Sequence, residues 1–131
     1  MKPPPGIYRY GSPRGKGEGP RIGVSRHVPR GVRREDWASH DYFDLWLPLL
    51  SPSAPLVKAY LAHDISWSVF SRRYRSEMNK PECRHVIDLL AMLSGEATFC
   101  LGCFCEDETR CHRSLLQQLI TERRAALKPP P

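Results

Sequence analysis

Apolar residues fall at helical spacing in several stretches of the chain and gather into short uncharged runs in others. After Ser66, the residues Trp67, Phe70, Tyr74 and Met78 recur three or four apart. That is the buried stripe of a helix ending near Met78, with Arg72, Arg73 and Arg75 on its other face. Pro81 opens the next helix, Val86, Leu89, Leu90 and Leu93 give its apolar face, and Gly95 ends it. Ser53 is an N-cap for a shorter helix over 54–61, with Pro55 tolerated in the first turn. Ala97 to Phe104 is an uncharged run of strand length. It breaks at the acidic turn Cys105-Glu106-Asp107-Glu108. The chain then restarts at Cys111-His112-Arg113, heading a run with Leu115, Leu116, Leu119 and Ile120 at helical spacing. Strand, short polar loop and helix make the βα unit of an α/β protein.

The N-terminal third reads differently. Ile7 to Tyr10 and Arg21 to Ser25 are strand candidates. Between them, Gly11 to Pro20 carries four glycines and no apolar residue except prolines, which predicts a mobile loop. Its glycines lack the spacing of a phosphate loop. Pro29 and Gly31 force a turn after the second strand, with Arg26 and Arg30 on either side of Pro29. Trp37 to Leu50 supplies core candidates on a short helix or an ordered loop. Residues 1–6 read as a flexible tail. Residues 7–127 read as one domain, without internal repeats, and Pro129 to Pro131 end the chain.

Composition narrows the setting. A chain of 131 residues with 40% hydrophobic content suits one globular core. No apolar run approaches the roughly 18 residues of a membrane span, and the proline-rich start lacks a signal-peptide core. Five cysteines, four of them between Cys100 and Cys111, do not resemble a secreted disulfide scaffold. A reducing, cytoplasmic setting is expected. The net charge of +6 is uneven: residues 1–34 hold nine Lys/Arg and one acid, the remainder eleven and thirteen. The basic third favours polyanions such as nucleic acid, nucleotides or other phosphates, and it also suits a solvated basic loop.

In open α/β sheets, ligands sit beyond the carboxyl ends of the strands. That places Cys105, Glu106, Cys111, His112 and Arg113 at a candidate site. Glu106 is the best-placed general base. Cys111, in the first turn of a helix beside His112 and Arg113, is a candidate nucleophile. The C-x5-R arrangement of cysteine phosphatases would need an arginine at position 111 or 117, which hold Cys111 and Gln117, and a small packing role competes for Cys111. Arg113, at a helix N-terminus, suits phosphate or carboxylate, unless it pairs with Glu106 or Asp107. If the Arg21–Ser25 strand runs parallel to the Ala97–Phe104 strand, Arg26, Arg30 and Gly31 join the same rim. Cys100 and Cys103 are expected in the core, because a strand points them to opposite faces and one closed metal site over all four cysteines would need it to bend. Neither a metal nor a cofactor is assigned.

Four segments occur in order: Arg26-x-x-Pro29-Arg30-Gly31-Val32, Leu50-Ser51-Pro52-Ser53-x-x-Leu56, Phe70-x-x-Arg73-Tyr74, and Cys105-Glu106 with Cys111-His112-Arg113-x-x-Leu116. In these the chain resembles the domain-of-unknown-function 488 (YeaO-like) family, from about Ile7 to Leu119. The resemblance implies an α/β, three-layer, Rossmann-like fold with a largely parallel central sheet flanked by helices. It implies no established activity. It marks Arg26, Arg30, Gly31, Cys105, Glu106, Cys111, His112 and Arg113 as the positions where the motifs concentrate. Ser25 and Val28 depart from the Asp and Trp common in the family, which weakens any mechanism using a carboxylate at position 25.

Two functions remain open on sequence grounds. In the first, the chain binds, and in one form processes, a nucleotide, nucleic acid or other phosphorylated ligand. Arg26, Arg30, His112 and Arg113 would hold the anion and Glu106 would act as acid or base. In the second, it is a non-catalytic accessory protein whose Pro-Arg-Gly and Cys-His-Arg motifs are structural clasps. A metal or redox site at the cysteines is a third, weaker reading.

Overall fold

A computed structural model describes residues 3–127. Met1 and Lys2 of the tail, and Pro129 to Pro131, lie outside the described residues. The uncharged run before the acidic turn forms strand β4, Cys100–Cys103, and all four of its residues are buried. To describe what surrounds it, β1 is Gly6–Arg9, β2 is Arg21–Gly23 and β3 is Leu45–Trp46. The strand order is β1-β4-β2-β3, and every pair is parallel. A parallel sheet is covered on both faces, and the register shows how. Ile7, Leu101 and Ile22 stand side by side on one face, while Tyr8, Gly102 and Gly23 share the other.

The first face carries the helices: α1 (Ala54–Leu61), α2 (Trp67–Met78), α3 (Pro81–Ser94) and α4 (His112–Ala126). Ser53 and Ser66 cap α1 and α2, accepting from Leu56 N at 3.4 Å and Val69 N at 3.2 Å. Phe70, Tyr74 and Met78 of α2 are buried as their spacing predicts. On α3 the buried line is Cys83, Ile87, Leu90, Ala91 and Ser94. Leu89 and Leu93, expected in the core, are exposed, because the helix is rotated by about one position from the leucine-rich stripe. Leu101, Leu115, Leu116 and Ile120 join this core.

The opposite face carries rings rather than an α-helix. Tyr8, Tyr10, Phe43 and Cys100 form a second buried cluster with Trp37, Tyr42 and Trp46 packed against it. Sheet, helical layer and aromatic layer make the three-layer α/β arrangement. The rings come largely from the 37–50 stretch, which holds β3 and a 3-10 turn at Pro48–Leu50. Two-residue β3 leaves no periodicity to read, and its Leu45 is exposed. The rings fit because the sheet centre is thin. A methyl group at Gly102 would enter the Tyr8 ring, and one at Gly23 would meet Phe43 and the Tyr10 hydroxyl.

The glycine-rich loop at 11–20 is anchored by two arginines. Arg14 forks onto Asp44 with two contacts of 3.0 Å. Arg21 is wholly buried, donates to Glu18 (2.6 Å), Asp41 O (2.7 Å) and Pro13 O (3.1 Å), and lies 4.2 Å from the Tyr8 ring centroid. A buried guanidinium is tolerated when its donors are filled this way. Among the described residues, no helix is long and apolar enough to cross a membrane.

Two predictions follow from this packing. Gly102→Ala forces the Tyr8 ring off the sheet and should cost about 1–3 kcal/mol in urea denaturation. The Asp44 carboxyl is held below its ordinary pKa, chiefly by the Arg14 fork. Its contribution is therefore complete above the unfolded carboxylate pKa of about 3.9 and is lost as pH falls through the lower folded value. Asp44→Asn should be less stable than wild type at neutral pH, and the two should converge as pH drops below about 4.

Candidate functional site

Because β2 and β4 are parallel neighbours, the chain leaves both strands at the same edge of the sheet. The Arg26–Gly31 turn therefore stands on the rim that also carries the Cys105–Arg113 loop. Arg26, Arg30 and Gly31 are exposed, and Gly31 adopts a positive φ of 73°. None of the ion pairs among the described residues uses Arg26 or Arg30. The turn is held from beneath: Ser25 Oγ donates to His27 O at 2.8 Å, and Trp46 Nε1 donates to Ser25 O at 2.9 Å.

The acids of the second loop have other partners than Arg113. Glu106 pairs with Arg9 at 3.2 Å, both largely exposed. Asp107 accepts from the backbone N and the hydroxyl of Thr109, at 3.0 and 2.6 Å. Ser114 Oγ donates to Glu108 O, closing the 3-10 turn onto the start of α4.

The Cys-His-Arg motif points inward. Cys111, His112 and Arg113 are all buried, Arg113 completely. Arg113 Nη1 donates to Cys103 O at 3.3 Å, whereas Nε and Nη2 have no partner. His112 Nε2 lies 2.7 Å from Val24 O. A carbonyl only accepts, so Nε2 carries the ring proton, and Nδ1 presents its lone pair 3.8 Å from Cys111 Sγ. Burial pushes the His112 pKa down, which keeps the ring neutral. The Tyr74 ring packs against it edge-on, with centroids 5.7 Å apart.

The sulfurs converge on the same spot. Cys103, Cys111 and His112 place their ligand atoms within 4.8 Å of one another, and Cys105 Sγ is 3.9 Å from Cys103 Sγ. Cys105 belongs to an exposed residue, while Cys103 and Cys111 are buried. Donation from the Cys103 thiol, then from Cys111, pulls the Cys105 pKa far below the ordinary thiol range, and Arg113 adds to the effect. The same sharing of protons raises Cys103 to about 11 and drives Cys111 upward. Cys100 lies apart, in the aromatic layer on the other face.

Arg26, Arg30, Gly31, Cys105 and Glu106 are thus exposed beyond one edge of the sheet, Glu106 on the β1 side through Arg9, while Cys111, His112 and Arg113 are buried. Cys111 is buried, and Cys105 is the exposed thiol of the cluster. Its signal is positional: it lies two residues beyond Cys103, on the same side of the strand direction, and just past the strand end. A cavity of about 610 Å³ adjoins the loop, lined by Tyr60, His63, Trp67 and Arg110 among others.

A family model described as "Active DUF488-N3 subclade" matches residues 5–124. No curated protein and no solved structure matches the chain.

The His112–Val24 contact makes a checkable claim about this site. His112→Phe keeps the ring against Tyr74 and removes the donor to Val24 O. It should lower stability by about 1–3 kcal/mol, the cost of leaving a buried acceptor unpaired. The measurement is urea denaturation under reductant and chelator. A loss below about 0.5 kcal/mol would mean that the hydrogen bond is not holding α4 to β2.

Proposed function

The chain belongs to the DUF488 family, and from that premise we propose that it binds a phosphorylated ligand of nucleotide or nucleic-acid type at the rim formed by β2 and β4. One observation carries the reading: parallel pairing sends the Arg26–Gly31 turn and the Cys105–Arg113 loop out at one sheet edge. Arg26 and Arg30 are exposed there without a carboxylate partner among the described residues. Guanidinium groups recognise phosphate through paired N–H donors. Gly31, in its left-handed conformation, shapes the turn that presents them. Arg113 is wholly buried, so it does not touch the ligand directly. Tyr60 and Trp67, with ring centroids 5.7 Å apart in the cavity beside Arg110, supply faces for a base. The family description calls the subclade active and names no reaction. Glu106 remains the rim carboxylate nearest such chemistry, with Arg9 as its partner.

A second reading has its own support. His112 binds Val24 O, just beyond β2, and Arg113 binds Cys103 O, at the end of β4, and so they clasp α4 onto the sheet. In that reading the motif is structural and the chain is an accessory protein.

A thermal-shift screen separates the two. Nucleotides, oligonucleotides and phosphorylated metabolites should include at least one that raises the melting temperature. The double charge reversal Arg26→Glu/Arg30→Glu should abolish that shift and weaken binding at least about tenfold, since each guanidinium–phosphate contact is worth on the order of 1.5–3 kcal/mol. Both positions are exposed, so circular dichroism should be unchanged. No shift from any of these ligands with wild type would move the assignment to the accessory reading.

A further inference from the structure

We propose that Cys103, Cys105, Cys111 and His112 bind one zinc ion at the carboxyl end of β4, as a three-thiolate, one-imidazole site. Four observations meet there. Tetrahedral zinc with Zn–S bonds of about 2.3 Å sets neighbouring sulfurs about 3.8 Å apart. Cys103 and Cys105 stand at 3.9 Å, and Cys111 Sγ and His112 Nδ1 at 3.8 Å. Cys103, Cys111 and His112 all fall within 4.8 Å of one another, so these three close onto an ion with movements of about 1 Å or less, and the exposed Cys105 swings in from its 3.9 Å contact with Cys103.

The outer shell fits as well. A zinc-binding imidazole ordinarily donates its second N–H to a carbonyl or carboxylate, which fixes ring and tautomer. His112 Nε2 does this to Val24 O at 2.7 Å and leaves Nδ1 facing the sulfurs. Arg113 supplies the last observation. It is wholly buried, and its Nε and Nη2 have no partner. Glu106 and Asp107 are engaged with Arg9 and Thr109 instead. A buried guanidinium needs an anion. Zinc with three thiolates carries one negative charge, which this guanidinium balances.

The chemistry requires no redox partner. Each thiol that still carries its proton releases it to solvent as its sulfur bonds to the ion, and His112 binds through a lone pair it already presents. The exposed Cys105 gives the ion its way in. Cys100 and Cys83 stand outside the set. Cys100 lies in the aromatic layer, and Cys83 contacts Leu49 O from α3.

Cobalt(II) titration of the reduced, metal-free full chain tests the site. Wild type should take up one cobalt per chain, showing the visible bands of a tetrahedral ion and near-ultraviolet thiolate charge transfer, both abolished by zinc. Cys105→Ser, at an exposed position, should fold and lose about a third of the charge-transfer intensity, one thiolate in three. Cys83→Ser should match wild type. Absence of stoichiometric tetrahedral cobalt in folded wild type would overturn the proposal, as would full charge-transfer intensity in Cys105→Ser. Neither result bears on phosphate binding, which is read through Arg26 and Arg30.

Discussion

The placement of β4 between β1 and β2 is the constraint on which the structure depends. A strand with parallel neighbours on both sides is buried on both faces, and all four of its residues are. Parallel pairing also fixes direction. Every strand ends at the same edge, so whatever follows β2 and β4 meets there. The site is thus a consequence of the sheet. Two segments some 80 residues apart in the chain become neighbours because their strands hydrogen-bond side by side.

The same strand decides how the two faces are covered. Its Leu101 meets the helices, and its Gly102 lies under Tyr8. Facing Gly23 across the register, Gly102 removes side-chain volume from the sheet centre. Rings from Tyr8 and Phe43 fill that space, and an aromatic layer does the covering a helix would otherwise do. Edge-on contacts such as Trp37–Phe43, with centroids 4.8 Å apart, tie this layer together. Arg21 completes it from the side, stacked on Tyr8 and holding the glycine-rich loop through Pro13 O and Glu18.

How far the sequence reveals this depends on the range of the interaction. The starts of α1 and α2 are legible because Ser53 and Ser66 act within three residues of themselves. The βα unit at β4 and α4 is legible because an uncharged run followed by a polar turn has few alternatives. The buried face of α3 is not, since leucines at 89 and 93 outweigh Cys83, Ala91 and Ser94 in any hydrophobic count, although it is those small residues that are buried. β3 exists through pairing with Ile22 and Gly23 and has no local signature. At the site, residue types were legible and depth was not. Strand alternation places Cys103 in the interior, but only the fold shows α4 returning its first turn over that sulfur.

Depth is what separates the chemistry at this rim. Arg26 and Arg30 are exposed, where water solvates a guanidinium and no carboxylate partner is needed. Cys103, Cys111, His112 and Arg113 lie beneath, where an uncompensated charge costs several kcal/mol. A buried guanidinium with two unbonded nitrogens is therefore informative in a way that an exposed one is not. It implies negative charge within reach, and the groups converging beside it are sulfurs, with the rim carboxylates turned elsewhere. Hard, exchangeable anions suit the upper level and a soft cation held by thiolates suits the lower. Cys105 stands between them, exposed at the surface yet 3.9 Å from Cys103.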